Sequence, residues 1–448
     1  MFRQMKESER RALSTQMGNV LLHGVFALLM FGPLAFGEVE PWSIFLLQTG
    51  AAILLLVWLA KQWVDGEFVV RWNPIFLPMG AFGILVIAQI AFRQSAYQHD
   101  TVSQALLYCA YAMLCFLARQ SLVRSVQARR LAVILTVYAG TLASLALLQG
   151  VTPNGKLLWL RQPRMGGWIY GPYVNHNHYA GLMELLVPIP VVLALTRLAE
   201  DKGRIAAAVV AAIMVGTVFL SGSRGGMLAI MTELAVLGIF LSRGRRGIRA
   251  TVGVATFAIV LIGLLTWLGG KELTSRASSI ATETRSEISG GMRASIDRDT
   301  LHMFRNKPIL GWGLGTFPVV YPRFRSFYTN FFVNEAHNDY LQTLAEMGVL
   351  GFAVMIWFLV VVWRQGLAKT GNWISEMSGA ITLSCLLSCT GILVHSVVDF
   401  NLQIPANAAL FYVFCSIAAA PPLSQRSKKR KPAEPSNTPE VYPASEVV

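Results

Sequence analysis

The stretch Glu335-Ala336-His337-Asn338-Asp339-Tyr340-Leu341 runs directly into residues 343–363, Thr343-Leu344-Ala345-Glu346-Met347-Gly348-Val349-Leu350-Gly351-Phe352-Ala353-Val354-Met355-Ile356-Trp357-Phe358-Leu359-Val360-Val361-Val362-Trp363. As a helix, the apolar part is long enough to cross a hydrocarbon layer of about 30 Å. The polar part sets an imidazole, two carboxylates and an amide at that helix's start. A helix N-terminus offers free backbone N–H groups and partial positive charge, so it favours anions. A histidine there exchanges protons near neutral pH. Two readings fit these residues. In one, Asn338 or Asp339 is a helix cap and His337 a surface residue. In the other, His337 is a proton-handling group beside a membrane.

The apolar pattern recurs along the chain. Of 448 residues, 54% are hydrophobic and 14% charged, and the mean hydropathy is +0.51. Soluble domains carry about 25% charged residues, so the composition predicts an all-α polytopic membrane protein. Twelve runs read as transmembrane helices: 18–36, 42–60, 75–92, 102–118, 131–150, 178–197, 205–221, 226–242, 250–268, 343–363, 378–396 and 404–420. This divides the chain into a basic leader (1–17), helices one to nine (18–268), a large loop subdomain (269–341), helices ten to twelve (342–420) and a polar tail (421–448) expected to be disordered. A loop of that length inside a compact protein is expected to be a functional unit.

The net charge of +14 invites a nucleic-acid reading, but topology accounts for it better. With the N-terminus inside, most Lys and Arg fall on inner segments, including Arg3 to Arg11, Arg119 to Arg130, Arg243 to Arg249 and Arg426 to Lys431. This bias puts both ends in the cytoplasm and the long loop outside. It implies contact with membrane lipids and no nucleic acid. Cys109, Cys115, Cys385, Cys389 and Cys415 all fall in apolar runs, so they read as packing residues rather than disulfides or metal ligands.

Polar motifs gather on the outer side. Asn175-His176-Asn177-His178 precedes the sixth run. Two histidines two apart do not share a helix face. No third ligand follows at metal spacing, so Asn177 and His178 read as cavity lining. Ser221-Gly222-Ser223-Arg224-Gly225-Gly226 forms a turn that lacks the Gly-Lys-Ser/Thr ending of a P-loop. An arginine at the membrane boundary needs a partner or a wet cavity. Arg224 therefore either snorkels to headgroups or is a fixed guanidinium for an anion, for which its planar fork suits phosphate.

Residues 292–304 predict an amphipathic helix with Met292, Ile296 and Thr300 or Met303 on one side. Arg293 and Asp297 are spaced to pair. Asp297-Arg298-Asp299 resembles the Asp-x-Asp metal motif of soluble nucleotide-sugar transferases, but its central arginine opposes a divalent cation. The aromatics from Tyr321 to Phe332 read as interfacial anchors or faces for sugar rings. His395 and Asp399, one turn apart, can meet on a helix face, as a substrate-binding pair or simply as a local hydrogen bond.

In this order and topology, the motifs resemble the O-antigen ligase and polysaccharide-polymerase family of bacterial inner-membrane proteins. The resemblance rests on Asn177-His178-Tyr179-Ala180-Gly181, Ser221 to Gly226, and Arg293 followed by Asn306-Lys307-Pro308-Ile309-Leu310-Gly311-Trp312-Gly313-Leu314-Gly315-Thr316-Phe317. It is completed by His337-Asn338-Asp339-Tyr340-Leu341 leading to Glu346-Met347-Gly348. It covers mainly residues 170–400. It implies a metal-independent, inverting glycosyl transfer on the periplasmic face, with no cofactor. The implied donor is a glycan on a polyprenyl diphosphate such as undecaprenyl diphosphate. The implied acceptor is a sugar hydroxyl, on lipid A-core for a ligase or on a growing chain for a polymerase.

Chemistry fits the implication. Without a metal, guanidinium groups must neutralise the diphosphate, and Arg224 and Arg293 are the candidates, with Arg323 and Arg325 as alternatives. His337 matches the general base, with Asp339 or Glu335 orienting it, while Asn338, His395 and Asp399 join the substrate-binding set. A transporter remains the alternative of a different class. Transporters often show related halves and midplane sites, whereas this chain shows no internal repeat.

Overall fold

The computed structural model describes residues 6–163, 167–242, 290–330 and 332–424. Their regular structure is helical, apart from isolated bridge pairs. The chain begins with α1 (Glu7–Leu34), α2 (Pro41–Asp65), α3 (Phe76–Ala91), α4 (Gln98–Ser121) and α5 (Ser125–Val151). It continues with α6 (His176–Leu186), α7 (Pro188–Leu195), α8 (Asp201–Ser221), α9 (Arg224–Ser242) and α10 (Gly290–Asn306). It ends with α11 (Phe317–Val320), α12 (Asp339–Leu367), α13 (Met377–His395) and α14 (Pro405–Ala419).

Local chemistry sets the breaks. Pro41 starts α2, and Gly66 closes it in the left-handed conformation. Pro188 and Pro190 divide one apolar run into α6 and α7. Gly348 (φ 64, ψ −169) kinks α12.

Among the described residues nine helical spans are long and apolar enough to cross a membrane, with α6 and α7 together forming one of them. Two shorter apolar helices, α3 and α14, accompany them. Eleven of the twelve expected runs coincide with these helices. The run 250–268 lies outside the described residues. So do the Ser/Thr/Glu-rich stretch 274–289, Arg164, Phe331 and the basic cluster Arg426 to Lys431.

Burial separates axis from periphery. The α6–α7 span is 83% buried and α13 78% buried, against 28–44% for the other spans. Outer helices expose large apolar side chains such as Ile53, Leu56, Ile84, Ile87, Val137 and Val360. In water such a surface would aggregate, whereas in a bilayer it is solvated. Four of the cysteines are buried, and the Cys389 and Cys415 sulfurs lie 3.4 Å apart as packed thiols; Cys109 is exposed.

The segment 290–338 folds onto the start of α12. Helix α10 presents Ile296, Thr300 and Met303, all fully buried, to Phe317, Val320, Tyr321, Val333, Ala336 and Ala345. The aromatic run divides: Tyr321 stacks on Phe317 at 4.9 Å, whereas Tyr328 and Phe332 are exposed. The glycine-punctuated turn 308–315 docks on the α12 kink, where Val349 N donates to Pro308 O at 2.8 Å and Gly313 N to Glu346 O at 2.9 Å. The Glu346 carboxylate accepts from Gly315 N (2.8 Å) and Phe317 N (3.0 Å). Cβ atoms at Gly311 or Gly348 would lie 2.2–2.3 Å from opposing backbone, so both positions require glycine. The two most distinctive sequence motifs are therefore one packed unit.

Candidate functional site

The polar residues converge where α6 and α9 begin, α13 ends and the chain enters α12. Asn338 caps α12, accepting from Tyr340 N and Leu341 N at 3.1 Å each. Asp339 N donates to Ser396 O at 3.0 Å. These anchors hold His337 between them at φ 55, a left-handed conformation that costs a non-glycine residue about 1–2 kcal/mol. The ring is thereby turned inward: its side chain is 11% exposed, so His337 is not the surface residue of the first of the two sequence readings.

Asp399 is the centre of the cluster. Its carboxylate is fully buried, and Oδ1 accepts from Phe400 N at 2.8 Å. Around it lie His337 Nδ1 at 3.9 Å, His178 Nε2 at 3.8 Å and Arg293 Nη2 at 3.6 Å. Arg293 is held there because its Nη1 donates to Val398 O at 2.8 Å. Phe400 wedges between the two imidazoles, edge-on to each at 4.7 Å between centroids. Burial pushes the Asp399 carboxyl up, but the His178 ring and the Arg293 guanidinium outweigh it and hold the group well below the usual carboxylate range. Burial pushes His337 down to about 4, against the opposing pull of Asp399. At neutral pH the pair is thus an imidazole facing a carboxylate. His337 Nδ1 faces Asp399 Oδ1 across 3.9 Å without a hydrogen bond between them.

Several expectations need correction. His395 does not meet Asp399 on a helix face, because α13 ends at His395 and the chain turns away. The His395 ring instead bonds Glu184 Oε1 through Nδ1 at 2.8 Å. Asp339 does not orient His337, since its carboxylate accepts from Leu402 N (3.2 Å) and Gln403 Nε2 (3.1 Å) and braces the loop carrying Asp399. Glu335 does not orient it either. It accepts from Gln342, and burial pushes its carboxyl well up. Arg293 leaves Asp297 for Asp399, and burial raises the Asp297 carboxyl to about 6 against the pull of Arg293. Asp299 is structural, accepting from Ser326 N at 2.9 Å and Tyr321 Oη at 3.2 Å. Among the described residues no group of three or more His, Cys, Asp or Glu side chains is placed to hold a metal.

The remaining candidates lie nearby or apart. Asn177 is buried at the start of α6, whose cap is Asn175. Arg224 is exposed at the start of α9 and forms no hydrogen bond or ion pair among the described residues. Its neighbour Gly225 packs on the His395 ring. Arg323 and Arg325 are exposed on the 321–328 segment, away from the Asp399 cluster contacts. A cavity of about 260 Å³ opens on the other side, beside Asp339 and Tyr340, with walls including Phe82, Val86, Phe358 and Tyr412.

Sequence reasoning passed over Phe400 and Glu184. Phe400 carries no local signal. Glu184 does, since an acidic residue inside an apolar span is costly unless it serves a purpose.

No curated protein matches the chain. Residues 209–372 match a family model described as O-antigen ligase. That stretch, which contains the Arg224 turn, Arg293, the glycine-punctuated turn and His337, is similar to that family.

Proposed function

We propose that the protein is an O-antigen ligase-like glycosyltransferase of the bacterial inner membrane, with both termini cytoplasmic and the site facing the periplasm. The donor is a glycan on a polyprenyl diphosphate, and the acceptor is a sugar hydroxyl such as one on lipid A-core. A polymerase extending a growing glycan uses the same chemistry. The observation that carries the reading is the buried Asp399 carboxylate, 3.9 Å from His337 and 3.6 Å from Arg293.

The neutral His337 imidazole accepts the acceptor hydroxyl proton as the oxygen attacks the anomeric carbon. Asp399 stabilises the imidazolium that forms, a role typically worth about 10²–10⁴-fold together with the base. The bond to the diphosphate breaks on the opposite face, and the configuration inverts. Negative charge develops on the leaving diphosphate, which Arg224 and Arg293 stabilise as fixed cations in place of a metal. Arg224 suits this role because it is exposed and unpaired among the described residues. His178 and Asn177 line the same entrance, and Arg323 and Arg325 extend the positive surface for the glycan or diphosphate. The apolar cavity beside Asp339 suits the isoprenoid chain of the donor.

The test is transfer by the purified protein from polyprenyl-diphosphate glycan to a sugar acceptor in the presence of EDTA. Product forms without added metal. Activity that EDTA abolishes and magnesium restores contradicts the mechanism. In a deletion strain, long glycans stranded on the carrier lipid indicate a lost ligase, and single repeat units indicate a lost polymerase.

A further inference from the structure

Two ionisable side chains on the most buried helices, Glu184 of α6 and His395 of α13, are bonded at 2.8 Å and 0–1% exposed. Neither touches the Asp399 carboxylate. Burying such a pair between apolar helices is costly and rarely adds stability over well-packed apolar residues, so it calls for a use.

The packing shows what the pair touches. A Cβ at Gly225 would lie 2.4 Å from His395 Cδ2 and 2.5 Å from Nε2. At Gly226 it would lie 2.6 Å from Ala180 Cβ and 3.1 Å from Glu184 Oε1. The backbone of the Ser221–Gly226 turn is therefore laid directly on the imidazole and the carboxylate. Ser223 completes the seat by accepting from Gly226 N through Oγ at 3.1 Å. Arg224 stands at the edge of this floor. On its other side, His395 O accepts from Val398 N (2.9 Å) and Asp399 N (3.1 Å), so the same residue begins the loop that presents Asp399.

We propose that the Glu184–His395 pair is a positioning strut that sets Arg224 relative to the His337–Asp399 centre. This inference rests on the proposed donor role of Arg224. The pair touches no reacting atom. It acts by fixing the turn from below and the Asp399 loop from behind, and it explains why the turn carries two consecutive glycines. Glu184→Gln keeps an oxygen for His395 Nδ1–H and holds the turn. Glu184→Ala removes the partner, leaves His395 unpaired and lets the turn shift, and displacements near 1 Å in a catalytic array cost up to about 10²-fold.

The experiment is a double-mutant cycle on the full-length detergent-purified protein. Steady-state constants are measured for a polyprenyl-diphosphate glycan donor and a sugar acceptor. Glu184→Ala raises the donor KM about tenfold, leaves the acceptor KM unchanged, and has no further effect in an Arg224→Ala background. Glu184→Gln restores the donor KM to within about twofold. If Glu184→Ala does not elute as a monodisperse species, His395→Asn takes its place in the cycle, since it keeps a donor near the Nδ1 position while removing the ring beneath Gly225. Multiplicative effects of the two substitutions, or an unchanged donor KM in the folded strut variant, overturn the proposal. An Arg224→Ala variant with wild-type donor KM defeats the donor-arginine reading instead. A Glu184→Ala defect that persists beside it then shows that the pair does not act through Arg224.

Discussion

Replacing Asp399 by asparagine tests the electrostatic core of the site. The imidazolium formed on His337 during proton transfer lies 3.9 Å from Asp399 Oδ1. At an effective dielectric constant of about 20, unit charges at that distance attract by about 4 kcal/mol. Arg293, 3.6 Å from the other oxygen, repels the same imidazolium in wild type and variant alike, so the substitution removes the whole of about 4 kcal/mol. Since about 1.4 kcal/mol is tenfold in rate, kcat falls about 10³-fold. Asparagine is nearly isosteric and keeps an oxygen for Phe400 N, so the loop persists and the donor KM changes little. The assay is single-turnover transfer by detergent-purified protein at saturating donor, with monodispersity as the folding control. A folded Asp399→Asn variant with kcat within threefold of wild type, on the order of 0.6 kcal/mol, refutes the reasoning.

Two further outcomes follow from the same geometry. Burial lowers His337 to about 4, whereas an unfolded histidine titrates near about 6.5. The unfolded chain thus binds the extra proton first on acidification. The His337 share of stability is constant above about pH 6.5 and declines toward pH 4. Thermal unfolding at pH 7 and pH 5 accordingly shows a smaller acid loss in His337→Gln than in wild type, and equal losses contradict the burial account. At the α12 kink, a Gly348→Ala side chain meets Ile309 O at 2.2 Å with φ 64, which combines a clash with about 1–3 kcal/mol of backbone strain. Little folded protein is recovered from membranes carrying it, and a wild-type yield would show that the turn and kink are not one unit.

Much of the architecture was legible because a bilayer imposes long apolar runs, and eleven of these coincide with helices. Of the face expected from Met292, Ile296 and Thr300 or Met303, the structure buries Ile296, Thr300 and Met303 fully and leaves Met292 partly exposed. The site was legible only in part. Residue order brought His337 and Arg293 into one motif set, but spacing along a chain says nothing about where a helix stops. His395 and Asp399 look like helix neighbours, yet α13 ends at His395 and the following turn aims Asp399 elsewhere. Asp339, two residues after His337 in sequence, is drawn off by Leu402 and Gln403. The carboxylate beside His337 comes from 62 residues further on, a relation that only packing reveals. Glu184 had a signal, a lone acid in an apolar run, but its partner His395 lies 211 positions away.

The most direct test of the account is the rate of glycan transfer by His337→Ala, measured in a single turnover with saturating polyprenyl-diphosphate donor. The account predicts a folded protein that still binds donor and transfers about 10²–10⁴-fold more slowly, because the acceptor hydroxyl loses its base. Transfer at the wild-type rate would contradict it and remove His337 from the chemistry.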